Sequence, residues 1–210
     1  MGKVRVRGFA VSTDGFAAGP DQSLENPLGK RGGELMNWFY PTRAFRSMMG
    51  KDGGTDDRFA SAAMQGFGAY ILGRNMFGPA GDAWGGPDWK GWWGDNPPYH
   101  APTFILTHHA RAPIEMEGGT TFYFVTDGIE SALAQAKAAA GDLDVKIGGG
   151  VSTVRQYLLA GAIDELQLAL SPVVLGRGES LFADIDLPGL GYRVTEAVPT
   201  ELATHLVLTR

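Results

Sequence analysis

The sequence predicts an α/β protein: a mixed, mostly parallel sheet flanked by helices, with antiparallel strands at the C-terminal end. Three observations lead there. The early and middle chain alternates strand-like and helix-like runs, the pattern of a parallel sheet with crossover helices. After Gly161 the helical runs stop and strands follow one another. No linker divides the 210 residues, a length that suits one sizeable core. The expectation is one domain over 1–210, with irregular insertions near 21–54 and 78–102.

Val4 to Ser12, in "MGKVRVRGFAVS", alternates charged and apolar residues and reads as a strand. The Gly-, Pro- and Asp-rich stretch that follows runs to about Thr55, with a short helix around Met36 to Met48. "DDRFASAAMQGFG" reads as a helix capped by Asp56 or Asp57, with Phe59, Ala63 and Phe67 on one face. "AYILG" is a short apolar strand ending at Gly73, and "RNMFGP" a brief helical turn. A second irregular stretch, Gly78 to Pro102, carries Trp84, Trp89, Trp92 and Trp93. "TFILTHH" and "TTFYFVTD" are strands, and "DGIESALAQAKAAA" is a helix with capping-box spacing between Asp127 and Glu130. "VKIGG" is a strand and Val151 to Ala160 a helix. "IDELQLALSPVVLG" gives one long strand or two, and "YRVTEAVPTELATHLVLTR" a closing pair.

Composition narrows the function classes. The net charge of −5 argues against nucleic acid as the main partner. The absence of cysteine removes disulfides, thiol nucleophiles and cysteine metal sites, and is compatible with a reducing cytoplasm. The N-terminus has no apolar run long enough for a signal peptide or membrane helix, so no membrane is expected. "LTHHAR" ends a strand with His108 and His109, but adjacent strand residues point to opposite faces, so no metal site is expected there.

The chemistry concentrates where strands end. Gly148, Gly149 and Gly150 stand between a strand and a helix, where missing side chains and free N–H groups suit a phosphate or diphosphate. Ser152 and Thr153 add hydroxyls. The same residues also suit a tight turn without a ligand. The pattern is neither G-x-G-x-x-G nor a P-loop. Gly73 and Arg74 form a second strand end of this kind, and His108, His109 and Arg111 a positive rim at a third.

Taken in order, "VSTDGFAAG", "DDRFASAAMQGFGAYILGRNMFG", "FILTHH" and "VKIGGGVSTVRQYLLAGAIDELQLALSPVVLGRGESLF" resemble the dihydrofolate reductase-like superfamily. They look most like the branch of the riboflavin biosynthesis reductase domain, the RibD C-terminal domain. The resemblance covers nearly the whole chain except Asp21 to Gly54 and the Trp-rich stretch. It implies a dihydrofolate reductase-like fold, NADPH as cofactor and a homodimer. By that resemblance Gly148, Gly149, Gly150, Val151, Ser152 and Thr153 form the diphosphate and nicotinamide turn, and Gly73, Arg74 and Asn75 the second phosphate site. Thr107, His108 and His109 receive the adenosine ribose and its 2′-phosphate, while Ala10, Val11, Gly15 and Phe16 cover the nicotinamide.

The substrate end is carried by fewer residues. Asp57 lies near the position where folate reductases hold the pterin with a carboxylate, and is expected to orient a heterocycle and support protonation; its other role is helix cap, and Asp56 is interchangeable with it. Ser171, Ser180, Leu181 and Phe182 are expected at the substrate cleft or in ordinary strand-turn packing. The tryptophans serve as a wall for a flat ring, as an auxiliary core or as a dimer contact. No basic cluster marks a ribose-phosphate subsite. The expected activity is hydride transfer from NADPH to a small heterocyclic or pyrimidine-linked substrate, as in 5-amino-6-(5-phosphoribosylamino)uracil reductase. The alternatives are dihydrofolate reduction and a non-catalytic NADP-binding module.

Overall fold

The first strand shows how the alternation works. Val4 and Val6 are buried while Arg5 and Arg7 are only partly so, and their guanidinium groups pair with Asp144 and Glu165. A computed structural model describes residues 2–48, 56–78 and 88–210. Strands and helices follow in the order β1 (Val4–Ser12), β2 (Phe16–Ala18), α1 (Arg43–Met48), α2 (Asp57–Met64), β3 (Phe67–Gly73) and α3 (Arg74–Phe77). Then come β4 (Pro102–Leu106), β5 (Ile114–Glu115), β6 (Thr121–Val125), α4 (Ile129–Ala140), β7 (Asp144–Gly149) and α5 (Val151–Leu159). The chain closes with β8 (Glu165–Ser171), β9 (Glu179–Ser180), β10 (Arg193–Pro199) and β11 (Thr204–Thr209).

The chain gathers into two units, Met1–Arg5 with Gly66–Ala162, and Val6–Gln65 with Ile163–Arg210. In the first unit the strand order is β1-β7-β3-β4-β6-β5, and every pair but the last is parallel. In the second it is β10-β11-β8-β1, with β11 antiparallel to both β10 and β8. The mostly parallel sheet with antiparallel C-terminal strands is the expected one. Its cause is chain length: crossovers through helices permit parallel pairing, and the short connection between β10 and β11 permits only a hairpin.

In the first unit α4 packs on β3 and β4 through Ala132, Ala136 and Ala140, spaced at four residues on one face. Gly68 permits this, because a Cβ there would lie 2.8 Å from the Ala140 backbone. Leu72, Phe77, Ile105 and Phe122 form the core, and Trp89 and Tyr99 pack against it. Tyr157 of α5 donates its hydroxyl to the Ile129 carbonyl at 2.8 Å. In the second unit Trp38, Phe59, Ala60, Ala169 and Ala203 form the core. There α2 seats on β1 at Gly8, where a Cβ would lie 2.9 Å from that of Ala63.

Two local expectations are corrected and one open alternative is decided. The helix expected from Met36 to Met48 is instead a 3-10 helix over Gly32–Met36 and the short α1. Pro41 separates them, and Thr42 caps α1 by accepting the Phe45 N–H at 3.2 Å. The capping box at Asp127 does not form: the chain enters α4 through Gly128 at φ 93°, and Asp127 accepts from Thr126 instead. β8 is one strand, ending before Pro172, which has no N–H to pair.

Trp38 is 1% exposed and packs edge-on against His205 at 5.0 Å. Trp38→Ala is expected to cost about 3–5 kcal/mol, the usual range for removing a core aromatic. Equilibrium urea unfolding checks this. Trp38→Phe should cost less, since it also removes an indole N–H that has no partner in its buried site.

Candidate functional site

Strand register aligns the ends that carry the chemistry. Leu72 pairs with Gly149, Gly73 with Leu106, and Leu106 with Val125. All four strands run parallel, so the turns that follow Gly149, Gly73, Leu106 and Val125 open on one edge of the first unit. In parallel α/β sheets that edge is where ligands bind.

Two glycine signals that are far apart in sequence meet here. A Cβ on Gly73 would lie 2.4 Å from Thr153 Oγ1, 3.3 Å from Gly150 N and 3.6 Å from Gly149 O. Gly73 is therefore the residue that lets the β3 end touch the glycine turn. Gly148 is similarly bare because a Cβ would press into Leu72 at 2.5 Å. Gly149 takes φ 124°, a conformation that L side chains rarely adopt, and the Gly149–Gly150 peptide is cis. Gly150 differs from both: φ is −72°, and a Cβ there meets nothing within 4 Å. It presents bare backbone to open space immediately before α5. Val154 N–H bonds the Gly150 carbonyl at 3.0 Å to close the first turn. Val151 and Thr153 are buried, and Ser152 is exposed.

Thr107 is buried, and its hydroxyl accepts the His109 N–H at 3.1 Å, shaping the turn on which His108 and His109 are exposed. Arg74 donates to Asn75 Oδ1 at 3.1 Å on the turn after β3. Arg111 has a packing role: it donates to the Trp89 carbonyl at 2.7 Å, with its guanidinium 5.7 Å from the Phe77 ring and 5.5 Å from the Phe124 ring. Trp89 in turn donates to the Phe77 carbonyl at 2.8 Å and meets Trp92 edge-on at 4.9 Å. These contacts match the auxiliary-core reading of the tryptophans; Trp84 lies outside the described residues.

In the second unit Ala10 and Val11 are buried in β1. Gly15 and Phe16 stand at a turn organised by Asp14. Its carboxylate accepts from Ser12 Oγ at 2.6 Å and from the N–H groups of Leu175 and Gly176 at 3.0 and 2.7 Å. β2 pairs with β9 at Phe16 and Ser180, and Leu181 N–H bonds the Gly15 carbonyl at 3.0 Å. The structure thus brings Gly15, Phe16, Ser180 and Leu181 together. Phe182 is half-buried, Leu181 wholly buried, and the Ser171 hydroxyl is taken by the Leu35 carbonyl at 2.8 Å.

The carboxylates at the start of α2 divide their work. Asp57 accepts the backbone N–H of Arg43 and so ties down the start of α1. Asp56 stands at the N-cap position with φ 58° but makes no capping hydrogen bond. Its Oδ1 instead meets His205 Nε2 at 3.2 Å, with both side chains 0% exposed. Among the described residues its Oδ2 is buried without a hydrogen-bond partner. His205 and its neighbour Gln167 were not singled out from the sequence; the available signal was a histidine at an inward position of an alternating strand.

The mostly parallel sheet with its antiparallel C-terminal strands is of the dihydrofolate reductase-like fold class, shared with solved structures. Within that class, the profile of the RibD C-terminal domain matches residues 5–207, and the chain belongs to this family. A structure of a protein assigned to riboflavin biosynthesis from Shewanella sp. PV-4 superposes with a TM-score of 0.60 at 21% identity, covering 100% of this chain and 99% of that one. The Thermotoga maritima diaminohydroxyphosphoribosylaminopyrimidine deaminase/5-amino-6-(5-phosphoribosylamino)uracil reductase superposes with a TM-score of 0.58 at 15% identity; 99% of this chain covers 56% of that bifunctional protein. Enterococcus faecalis dihydrofolate reductase, solved with NADP(H), gives 0.54 at 15% identity over 99% and 96%. The Bacillus subtilis protein YyaP is 36% identical over 62 residues, 30% of this chain and 32% of that protein. Among the described residues no helix is long and apolar enough to cross a membrane.

Asp14 yields a pH prediction. The Ser12 hydroxyl, followed by the backbone donors Leu175 and Gly176, outweighs desolvation and holds its carboxyl down from 3.8 to about 2. A depressed folded-state value means stability that is present above the ordinary carboxylate range and lost as pH falls from about 4 toward about 2. Asp14→Asn is expected to flatten the acid-side slope in that window, read from urea midpoints measured at successive pH values.

Proposed function

We propose that the chain is an NADPH-dependent reductase acting on a small nitrogen heterocycle or pyrimidine-linked substrate, of the type of the uracil reductase named in the Thermotoga relative. The observation that carries this reading is the bare backbone at Gly150, built by the Gly73 contact, in a member of the RibD C-terminal family. The residues fit the cofactor. A diphosphate suits the N–H groups at the start of α5, with the Ser152 hydroxyl beside them. Arg74 and Asn75 suit a second phosphate, and His108 and His109 a ribose with a 2′-phosphate. Bound NADPH would supply the hydride; the chain supplies position and field.

Two carboxylates are candidates on the substrate side. Asp57, the expected group, has its Oδ1 engaged by the Arg43 N–H. Asp56 has a buried oxygen without a partner, an arrangement that costs free energy unless a donor fills it. Asp56 orients an N–H of the heterocycle once binding uncovers its Oδ2, which is closed to solvent in this structure. Phe182, half-buried beside β9, remains the candidate for contact with the ring.

NADPH consumption, followed by absorbance with a panel of pyrimidine intermediates and dihydrofolate, tests the reading. Turnover of a pyrimidine supports it, preference for dihydrofolate makes the chain a folate reductase, and binding without turnover makes it a nucleotide-binding module. Gly150→Val places its Cβ in open space at a φ of −72° that valine allows; with folding checked by circular dichroism, it should weaken NADPH at least tenfold in calorimetric titration, a loss of about 1.4 kcal/mol or more. Replacing His108 and His109 by alanine should narrow a preference for NADPH over NADH while leaving NADH affinity unchanged.

A further inference from the structure

Behind Asp56 runs a chain of hydrogen bonds whose direction is set by its first member. The Gly8 backbone N–H can only donate, and it meets Gln167 Oε1 at 2.6 Å. The amide oxygen therefore faces Gly8, and its nitrogen faces His205 Nδ1 at 3.1 Å. An amide nitrogen donates, so Nδ1 must accept and carries no proton. The ring proton then sits on Nε2, aimed at Asp56 Oδ1 at 3.2 Å. Protonating Nδ1 as well would set two donors against each other, and Gln167 cannot turn without abandoning Gly8. Packing works in the same direction. Phe59 lies flat on the His205 ring at 3.8 Å, and burial lowers the His205 pKa against the opposing hydrogen bond from Asp56.

The surrounding charges are largely paired. Arg58, which disfavours a charged His205, bonds Glu196 on β10 at 2.6 Å. Arg7 bonds Glu165 at 2.6 Å, and both pairs line one surface crevice with Gln167 and Phe59. Asp57 is engaged with the start of α1 at Arg43. Among the described residues, the ion-pair geometry of Asp56 is to His205 alone.

We infer that Gln167 and His205 form a one-way relay that keeps His205 neutral and aims its single N–H at Asp56 Oδ1. His205 is a positioning residue: it donates to Oδ1, fixes the carboxylate plane and leaves Oδ2 for another donor. With a neutral ring no positive charge stands beside the carboxylate; an imidazolium would place one there. This use of the relay rests on the reductase reading, whereas the proton's location on His205 does not.

Nitrogen-15 NMR of the His205 ring in the intact parent protein tests the relay without substrate. Between about pH 5 and 8, across the ordinary histidine range, Nδ1 should show the shift of an unprotonated nitrogen and Nε2 that of a protonated one. A proton on Nδ1, or on both nitrogens throughout this range, overturns the proposal. In Gln167→Glu one carboxylate oxygen can still accept from Gly8 while the other accepts from Nδ1–H, so both ring nitrogens should become protonated. An unchanged ring in the folded variant also overturns it. For the positioning role, His205→Leu should lower kcat for the pyrimidine about tenfold with NADPH affinity unchanged, roughly the loss of one hydrogen bond. His205→Gln, which retains an N–H donor, should restore kcat toward the parent. A leucine variant with the parent's kcat sinks the positioning role. Absence of NADPH turnover in the parent would sink the reductase reading, while the ring-nitrogen pattern would still decide the relay.

Discussion

The absence of a side chain at Gly73 is the constraint on which the candidate cofactor turn depends. Thr153 Oγ1 stands 2.4 Å from where a Cβ would be, closer than real Cβ contacts come. With hydrogen at that position the β3 end can touch the turn between β7 and α5. Beside that contact Thr153 is buried, and Gly150 is half-buried with open space where a Cβ would stand. Glycine costs about 0.5–1 kcal/mol relative to alanine in regular structure. Here the cost is offset by a close backbone approach that no other residue allows.

A second trade concerns Asp56. As a helix cap it would contribute about 1 kcal/mol. A hydrogen bond involving a charged group contributes about 1.5–3 kcal/mol. The chain takes the second, turning Asp56 to φ 58° so that its carboxylate reaches His205 rather than the helix N–H groups. Aspartate is among the residues enriched in the left-handed region, which keeps the backbone cost small. The unpartnered oxygen left behind is unusual for a buried carboxylate, and it is what makes Asp56 a functional candidate rather than a structural one.

Other sequence features are engaged with the scaffold. Arg111 looks in the sequence like part of a positive rim. In the structure its guanidinium lies over two aromatic rings and bonds the Trp89 carbonyl. Trp89, one of the Trp-rich group, anchors its loop to the end of α3 through Phe77. The Ser171 hydroxyl is likewise committed to the Leu35 carbonyl. In each case the side chain donates to a backbone carbonyl, the commonest kind of partner for a side-chain donor.

The sequence by itself determined the sheet and the location of the glycine turn. Period-two alternation in β1, apolar runs in β3, β4 and β7, and the four-residue spacing of alanines in α4 are local properties, and local sterics and burial enforce them. Only the tertiary structure decided what those pieces do for each other. That Gly73 meets Thr153 follows from the register of two strands about 70 residues apart in sequence. That Asp56 rather than Asp57 carries the unpartnered oxygen follows from His205 at the far end of the chain, brought over α2 by strand pairing. Adjacent aspartates look alike in a sequence. They differ in the fold because one faces a backbone N–H at the start of α1 and the other a ring whose proton is aimed by Gln167 and Gly8.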